Sequence, residues 1–149
     1  MGRIAQGWCP RGAGTDIQYA DLKRLIRNTD GEYNVEGATK IDAAEAKALH
    51  SQGTVFIDVR GANGFSAGHI PSAANLDMSS GLSKEKLLQL SGKDGQIIFY
   101  CYGKYCPRST YACAKALLWG FSRVYYFAGG FPAWKDAGYP VETSATPSN

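Results

Sequence analysis

The run Gln96-Ile97-Ile98-Phe99-Tyr100 stops at a cysteine, and no other junction constrains the fold as much. Apolar residues at consecutive rather than alternate positions, rich in β-branched and aromatic types, mark a strand covered on both faces. Cys101 opens the loop Tyr102-Gly103-Lys104-Tyr105-Cys106-Pro107. Arg108 and Ser109 then begin an alanine-rich helical pattern that reaches Trp119 and is closed by Gly120. A thiol at the end of a buried strand, facing a helix N-terminus, sits where an anion is stabilised.

The remaining chain repeats this alternation. The expected helix over 17–28 rests on Ile17, Leu22, Leu25 and Ile26, and 29–39 reads as a connector. Ile41 leads into a helix with Asp42 as N-cap and Glu45 three residues on, ending near Gly53. Residues 54–60 form a second buried strand and 61–68 a turn-rich segment with one helical turn near Phe65. Another short strand is expected over 69–76, then a helix capped by Ser83 that buries Leu87, Leu88 and Leu90. Val124 to Phe127 is the last strand, Gly129-Gly130 a turn, and 131–137 a final helix. The divisions are a loose segment 1–15, a helix and connector 16–39, a domain 40–142 and a polar tail 143–149. Strands alternating with helices predict an α/β fold: a mostly parallel central sheet with helices on both faces and the site at the strands' carboxyl ends.

Composition narrows the function classes. At 149 residues with 44% hydrophobic content the chain can bury one core. A net charge of +3 and no long basic run argue against nucleic acid or a membrane surface as partner. No apolar run approaches the roughly 20 residues of a spanning helix. The first residues lack a hydrophobic signal core, so a cytoplasmic location is expected, with the periplasm as the alternative had a leader been removed. The four cysteines, Cys9, Cys101, Cys106 and Cys113, are too few for a disulfide scaffold. Their spacing, with His50 and His69 far off, predicts no metal site.

Five pieces in order carry a resemblance: Val55-Phe56-Ile57-Asp58-Val59-Arg60 with Phe65 and Gly68-His69-Ile70-Pro71-Ser72-Ala73; the strand ending at Cys101; Arg108-Ser109; Gly129-Gly130 with Trp134; and Gly138-Tyr139-Pro140-Val141. Over about 40–141 the chain resembles the single-domain rhodanese family. The resemblance implies a three-layer rhodanese-like fold and sulfurtransferase activity without a cofactor. It implies Cys101 as the residue that takes sulfane sulfur from a small anionic donor such as thiosulfate. The persulfide then passes to cyanide, a thiol or a protein acceptor, with the chain expected to act as a monomer. Tyr102, Gly103, Lys104, Tyr105, Cys106, Pro107, Arg108 and Ser109 become the substrate cradle. Asp58 and Arg60 are implied to hold loop and fold together. The commonest pattern in that family places arginine five positions after the cysteine, whereas Arg108 follows Cys101 by seven.

The chemistry requires a thiolate, and an ordinary cysteine with pKa about 8.5 is mostly protonated at neutral pH. Loop amides, the helix start near Ser109, and the charges of Lys104 and Arg108 are expected to lower it. Cys106 has three readings: bystander, resolving thiol or sulfur carrier, with Cys101 favoured as carrier. Arg108 is either an anion clamp, the favoured reading, or a loop-stapling ion-pair partner. Lys104 either steers the donor or is simply solvated. Ser109 reads as an N-cap, Tyr102 and Tyr105 as pocket rim, His69 as a hydrogen-bonded structural residue, and Cys113, Trp119 and Trp134 as packing. Rival functions are a non-catalytic rhodanese-like regulatory module, thiol–disulfide exchange through Cys101 and Cys106, and phosphatase or arsenate-reductase chemistry. The last is disfavoured, because Tyr100 stands where such enzymes carry histidine and six residues rather than five separate Cys101 from Arg108.

Overall fold

The computed structural model describes residues 25–27, 33–78, 80–103, 106 and 108–143. Its first elements correct the expected N-terminal helix. β1 (Leu25–Arg27) pairs antiparallel with β2 (Tyr33–Val35), Ile26 opposite Asn34, so strand pairing replaces the helix and connector at those positions. Residues 17–24, and with them the rest of that expected helix, lie outside the described residues, as do the segments 1–15 and 144–149. Propensity is a weak prior that tertiary pairing overrides. Here the pairing has a tertiary anchor, since Val35 is buried in the core and the Tyr126 hydroxyl lies 2.9 Å from the Asn34 side-chain oxygen.

The main sheet follows the sequence. β3 (Thr39–Ile41), β4 (Val55–Asp58), β5 (Ala74–Asn75), β6 (Gln96–Tyr100) and β7 (Arg123–Phe127) lie in the order β3-β7-β6-β4-β5, every pair parallel. β6 therefore takes the middle place, with Phe99 paired to Ile57 on one side and Tyr126 on the other. Parallel strands need crossovers, and helices supply them. α1 (Ala43–Ser51) starts at the expected capping box: the Asp42 carboxylate accepts from the Glu45 amide at 2.8 Å and the Glu45 carboxylate from the Asp42 amide at 2.9 Å. α2 (Ala62–Ala67) extends the single turn expected near Phe65. α3 (Lys84–Leu90), α4 (Arg108–Leu118) and α5 (Gly130–Asp136) complete the set.

Side-chain alternation along each strand divides the core between the sheet's faces. Ile97 and Phe99 join Ile57, Val59, Val124 and Tyr126 under α3, α4 and the β1–β2 hairpin. Ile98 and Tyr100 join Phe56, Phe127, Ala46 and Trp134 under α1 and α5. Both clusters are buried, which explains the unbroken apolar run in β6. Complete burial of each such side chain contributes about 1.5–3 kcal/mol.

Two further expectations need correction. Ser83 caps α3 as expected, but only Leu87 is buried; Leu88 and Leu90 stand 43% and 40% exposed, because a seven-residue helix can turn only one short stripe inward. The strand expected over 69–76 shrinks to the two residues of β5, preceded by a bridge between His69 and Glu142. Pro71 and Ser72, the latter at φ 69°, bend the chain between them.

Candidate active site

β6 delivers Cys101 to the carboxyl edge of the sheet's central strand, and the chain leaves the sheet there. Two neighbouring backbones hold the departure point. The Val59 amide donates to the Tyr100 carbonyl at 3.1 Å and the Phe131 amide to the Cys101 carbonyl at 3.1 Å. Gly130 makes the second contact sterically possible. It sits at φ 65°, and a Cβ there would lie 2.5 Å from the Cys101 carbonyl oxygen and 3.0 Å from the Gly103 nitrogen. The sequence marks Gly129-Gly130 as a turn and as part of the resemblance; its closeness to the thiol loop is decided by the fold.

From Cys101 the loop doubles back. The Cys106 amide donates to the Gly103 carbonyl at 3.1 Å, closing a turn that returns residue 106 to the thiol. The Cys101 thiol donates to the Cys106 carbonyl oxygen at 3.5 Å, and both cysteines are buried. Burial pushes the Cys101 thiol up, yet hydrogen bonds outweigh it. The Cys106 side chain, the amides of Ser109 and Gly103 and the Ser109 hydroxyl together bring it down to about 7. About half of such a thiol is ionised at neutral pH, where an ordinary one is a few per cent ionised.

Ser109 therefore departs from its expected capping role. It is the second residue of α4, and its amide and hydroxyl serve the Cys101 sulfur. Cys113, one turn along the same helix, has the opposite character. Burial, and then the nearby charge of Cys101, push its thiol well up, and it donates to the Tyr125 carbonyl at 3.5 Å.

The structure gives Arg108 two partners within the fold. It was expected to clamp an anion, but its Nε donates to the Val59 carbonyl at 3.0 Å and its Nη2 to Asp77 Oδ1 at 2.8 Å. With the residue only 4% exposed, this is the loop-stapling alternative: Arg108 ties the first turn of α4 to the end of β4 and the segment after β5. Desolvating that guanidinium would be unfavourable without its carboxylate partner. Asp77 lies 31 residues away, and no local pattern distinguished it.

Asp58 and Arg60 form a second buried pair on the site's other flank. Arg60 Nε and Nη2 reach both carboxylate oxygens at 3.0 and 2.7 Å, and Nη2 also donates to the Gly68 carbonyl at 2.6 Å. Burial would lower the Arg60 pKa, but the Asp58 carboxylate raises it, so the guanidinium stays charged. Its Cζ lies 4.7 Å from the Phe131 ring centroid and 5.8 Å from that of Tyr102, and the Arg108 Cζ lies 5.9 Å from the same Tyr102 centroid. Asn75 joins the support by donating to the carbonyls of Asp58 and Arg60 at 3.1 and 2.9 Å. Burial, followed by the Asp58 charge, pushes the Tyr100 phenol far up, so it remains neutral and accepts the Ile70 amide at 3.0 Å.

Of the expected loop, then, Cys101, Gly103, Cys106 and Ser109 converge on one sulfur, while Tyr102 and Arg108 brace the surroundings. Lys104, Tyr105 and Pro107 lie outside the described residues. His69 keeps its expected structural place: its Nδ1 is 2.8 Å from the Phe65 carbonyl and its ring stacks on Phe65 at 3.7 Å.

This combination of central strand, thiol and helix start has relatives. The profile of the Rhodanese-like domain family matches residues 42–137, more than half of the chain. The chain belongs to the rhodanese-like family. It is 36% identical over 104 residues to the thiosulfate sulfurtransferase GlpE of Pseudomonas savastanoi, an alignment covering 70% of this chain and 92% of that one. Among solved structures, a Bacillus halodurans protein superposes with a TM-score of 0.65 at 30% identity, covering 72% of this chain and 78% of the other. A Rhodopseudomonas palustris protein described as a possible tyrosine phosphatase superposes with a TM-score of 0.56 at 30% identity, over 70% and 85% of the two chains. Within this rhodanese-like domain the residues that local sequence reasoning passed over are Asp77, Asn75 and Phe131. Asp77 and Phe131 reach the thiol loop through contacts made across the fold, and Asn75 holds the Asp58–Arg60 segment beside it.

Proposed function

We propose that this rhodanese-like chain moves sulfane sulfur from thiosulfate to a thiol or cyanide through a persulfide on Cys101. It is a sulfurtransferase of the rhodanese type; thiosulfate as donor is the finer step, taken from the name of its Pseudomonas relative. The observation carrying the reading is the acidic Cys101 thiol, brought to about 7 by hydrogen-bond donors aimed at one sulfur. The thiolate attacks the outer sulfur of thiosulfate, the S–S bond of the donor breaks, and sulfite leaves with the bonding pair. Cys101 then carries a persulfide anion, whose charge the same amides of Gly103 and Ser109 stabilise. An acceptor thiolate or cyanide removes the outer sulfur and restores the cysteine thiolate.

Phosphatase chemistry fits less well. A phosphate would need the Arg108 guanidinium, which is committed to Asp77 and the Val59 carbonyl. The test is intact-mass spectrometry after thiosulfate treatment, with thiocyanate measured on adding cyanide. Wild type forms thiocyanate, the Cys106→Ser chain holds one added sulfur atom, and Cys101→Ser does neither. Sulfur addition that survives the loss of Cys101 would overturn the assignment.

A further inference from the structure

The thiol cradle contains a second cysteine that sulfur transfer to an outside acceptor does not use. We propose that Cys106 resolves the Cys101 persulfide, releasing hydrosulfide and closing a Cys101–Cys106 disulfide. This deepens the sulfurtransferase reading and rests on it.

Three features of the loop support the step. The turn from Gly103 to Cys106 brings residue 106 back over the strand end, so the folded loop has already met the entropy of approach. The Cys106 side chain and carbonyl both hydrogen-bond the Cys101 sulfur. Both side chains are buried, at 1% and 3% exposure, in the same core cluster. The third described thiol, Cys113, is directed instead to the Tyr125 carbonyl.

The balance closes without an outside oxidant. The persulfide anion takes the Cys106 proton; the resulting Cys106 thiolate attacks Cys101 Sγ; and the outer sulfur departs as hydrosulfide with the electron pair of the broken S–S bond. Cys106 is oxidised, the sulfane sulfur is reduced, and one S–S bond replaces another. A small-molecule thiol or protein dithiol then reduces the disulfide and restores both cysteines. The cycle thereby releases hydrosulfide at the expense of that outside reductant.

The experiment uses the full chain, anaerobic and free of added reductant, with one equivalent of thiosulfate. Sulfite, trapped sulfide and peptide-mapped sulfur linkages are measured. Wild type should release one sulfite and one hydrosulfide per chain and yield a Cys101–Cys106 linked peptide. Cys106→Ser and Cys106→Ala should hold the persulfide on Cys101 and release sulfide at least about tenfold more slowly, while Cys113→Ser behaves as wild type. Equal sulfide release from the Cys106 variants, a stable wild-type persulfide, or sulfur relayed onto Cys106 without sulfide release would each overturn the proposal. In those cases sulfite release and a persulfide on Cys101 still leave the sulfur-transfer reading standing. Absence of both from wild type and every variant overturns that reading and this one with it.

Discussion

Replacing Gly130 by alanine should disable the thiol loop from the far side of the fold, and a second glycine provides the control. Gly130 and Gly138 both have positive φ, 65° and 85°, but a Cβ on Gly138 meets nothing within 4 Å. Gly138→Ala therefore reports the backbone term alone, about 1–2 kcal/mol for an L-residue in the left-handed region. Gly130→Ala adds a collision with the Cys101 carbonyl oxygen at 2.5 Å, where ordinary contact begins at 3.4 Å. Backbone on both sides must yield, and the Phe131 amide bond to that carbonyl is strained or lost. Overpacking of this kind costs about 1–3 kcal/mol and a lost hydrogen bond about 1. Gly130→Ala should thus lower stability by about 2–4 kcal/mol more than Gly138→Ala, read from urea midpoints at constant m-value. Displacing Cys101 also spoils its geometry to the Gly103 and Ser109 amides. The pH profile of iodoacetamide alkylation should then shift upward from about 7 by about one unit, so the reactive fraction at neutral pH falls from about half to about a tenth. Equal stability losses in the two variants, with an unmoved alkylation profile, would refute the reasoning.

The remaining predictions concern the same sulfur and its braces. Sulfur transfer should rise with pH through a midpoint near 7 and level off above it, because the thiolate is the reacting form; a rate independent of pH between 5.5 and 8.5, about three decades of proton concentration, would contradict the lowered thiol. Because the folded Cys101 value lies below that of an ordinary cysteine, its ionisation adds stability that is fully present above the ordinary value and is lost as pH falls through about 7; pH-dependent urea titrations of wild type against Cys101→Ser isolate it. Arg108→Gln should destabilise the chain by about 2–3 kcal/mol and raise the thiol pKa, without a selective increase in KM for thiosulfate; a KM effect at full stability would return Arg108 to the clamp role. Asp58→Ala strands the Arg60 guanidinium in the interior and should lower stability by about 3–5 kcal/mol, a loss that far-UV circular dichroism melts would register.

Local interactions are what the amino-acid sequence determined by itself. The capping box at Asp42 and Glu45 spans three residues, and the unbroken apolar run of β6 needs only its own composition to demand cover on both faces. Cys101 at the end of that run and a helix starting at Arg108 followed directly, and so did the sheet type and the place of the candidate thiol. The tertiary structure decided what each of those groups touches. Arg108 became a staple because Asp77, remote in sequence, arrives beside it with a carboxylate; nothing within a few residues of Arg108 could announce that. Leu25 to Arg27 became a strand because a partner strand ending in the buried Val35 competes with a helical pattern that is only marginal alone. Ser109 turned from cap to thiolate donor because the loop places the sulfur above the first turn of α4. Gly130 matters because two backbones meet there. Periodicity and capping are short-range and can be read along the chain, whereas hydrogen-bond partners and close approaches between segments exist only once the chain has folded.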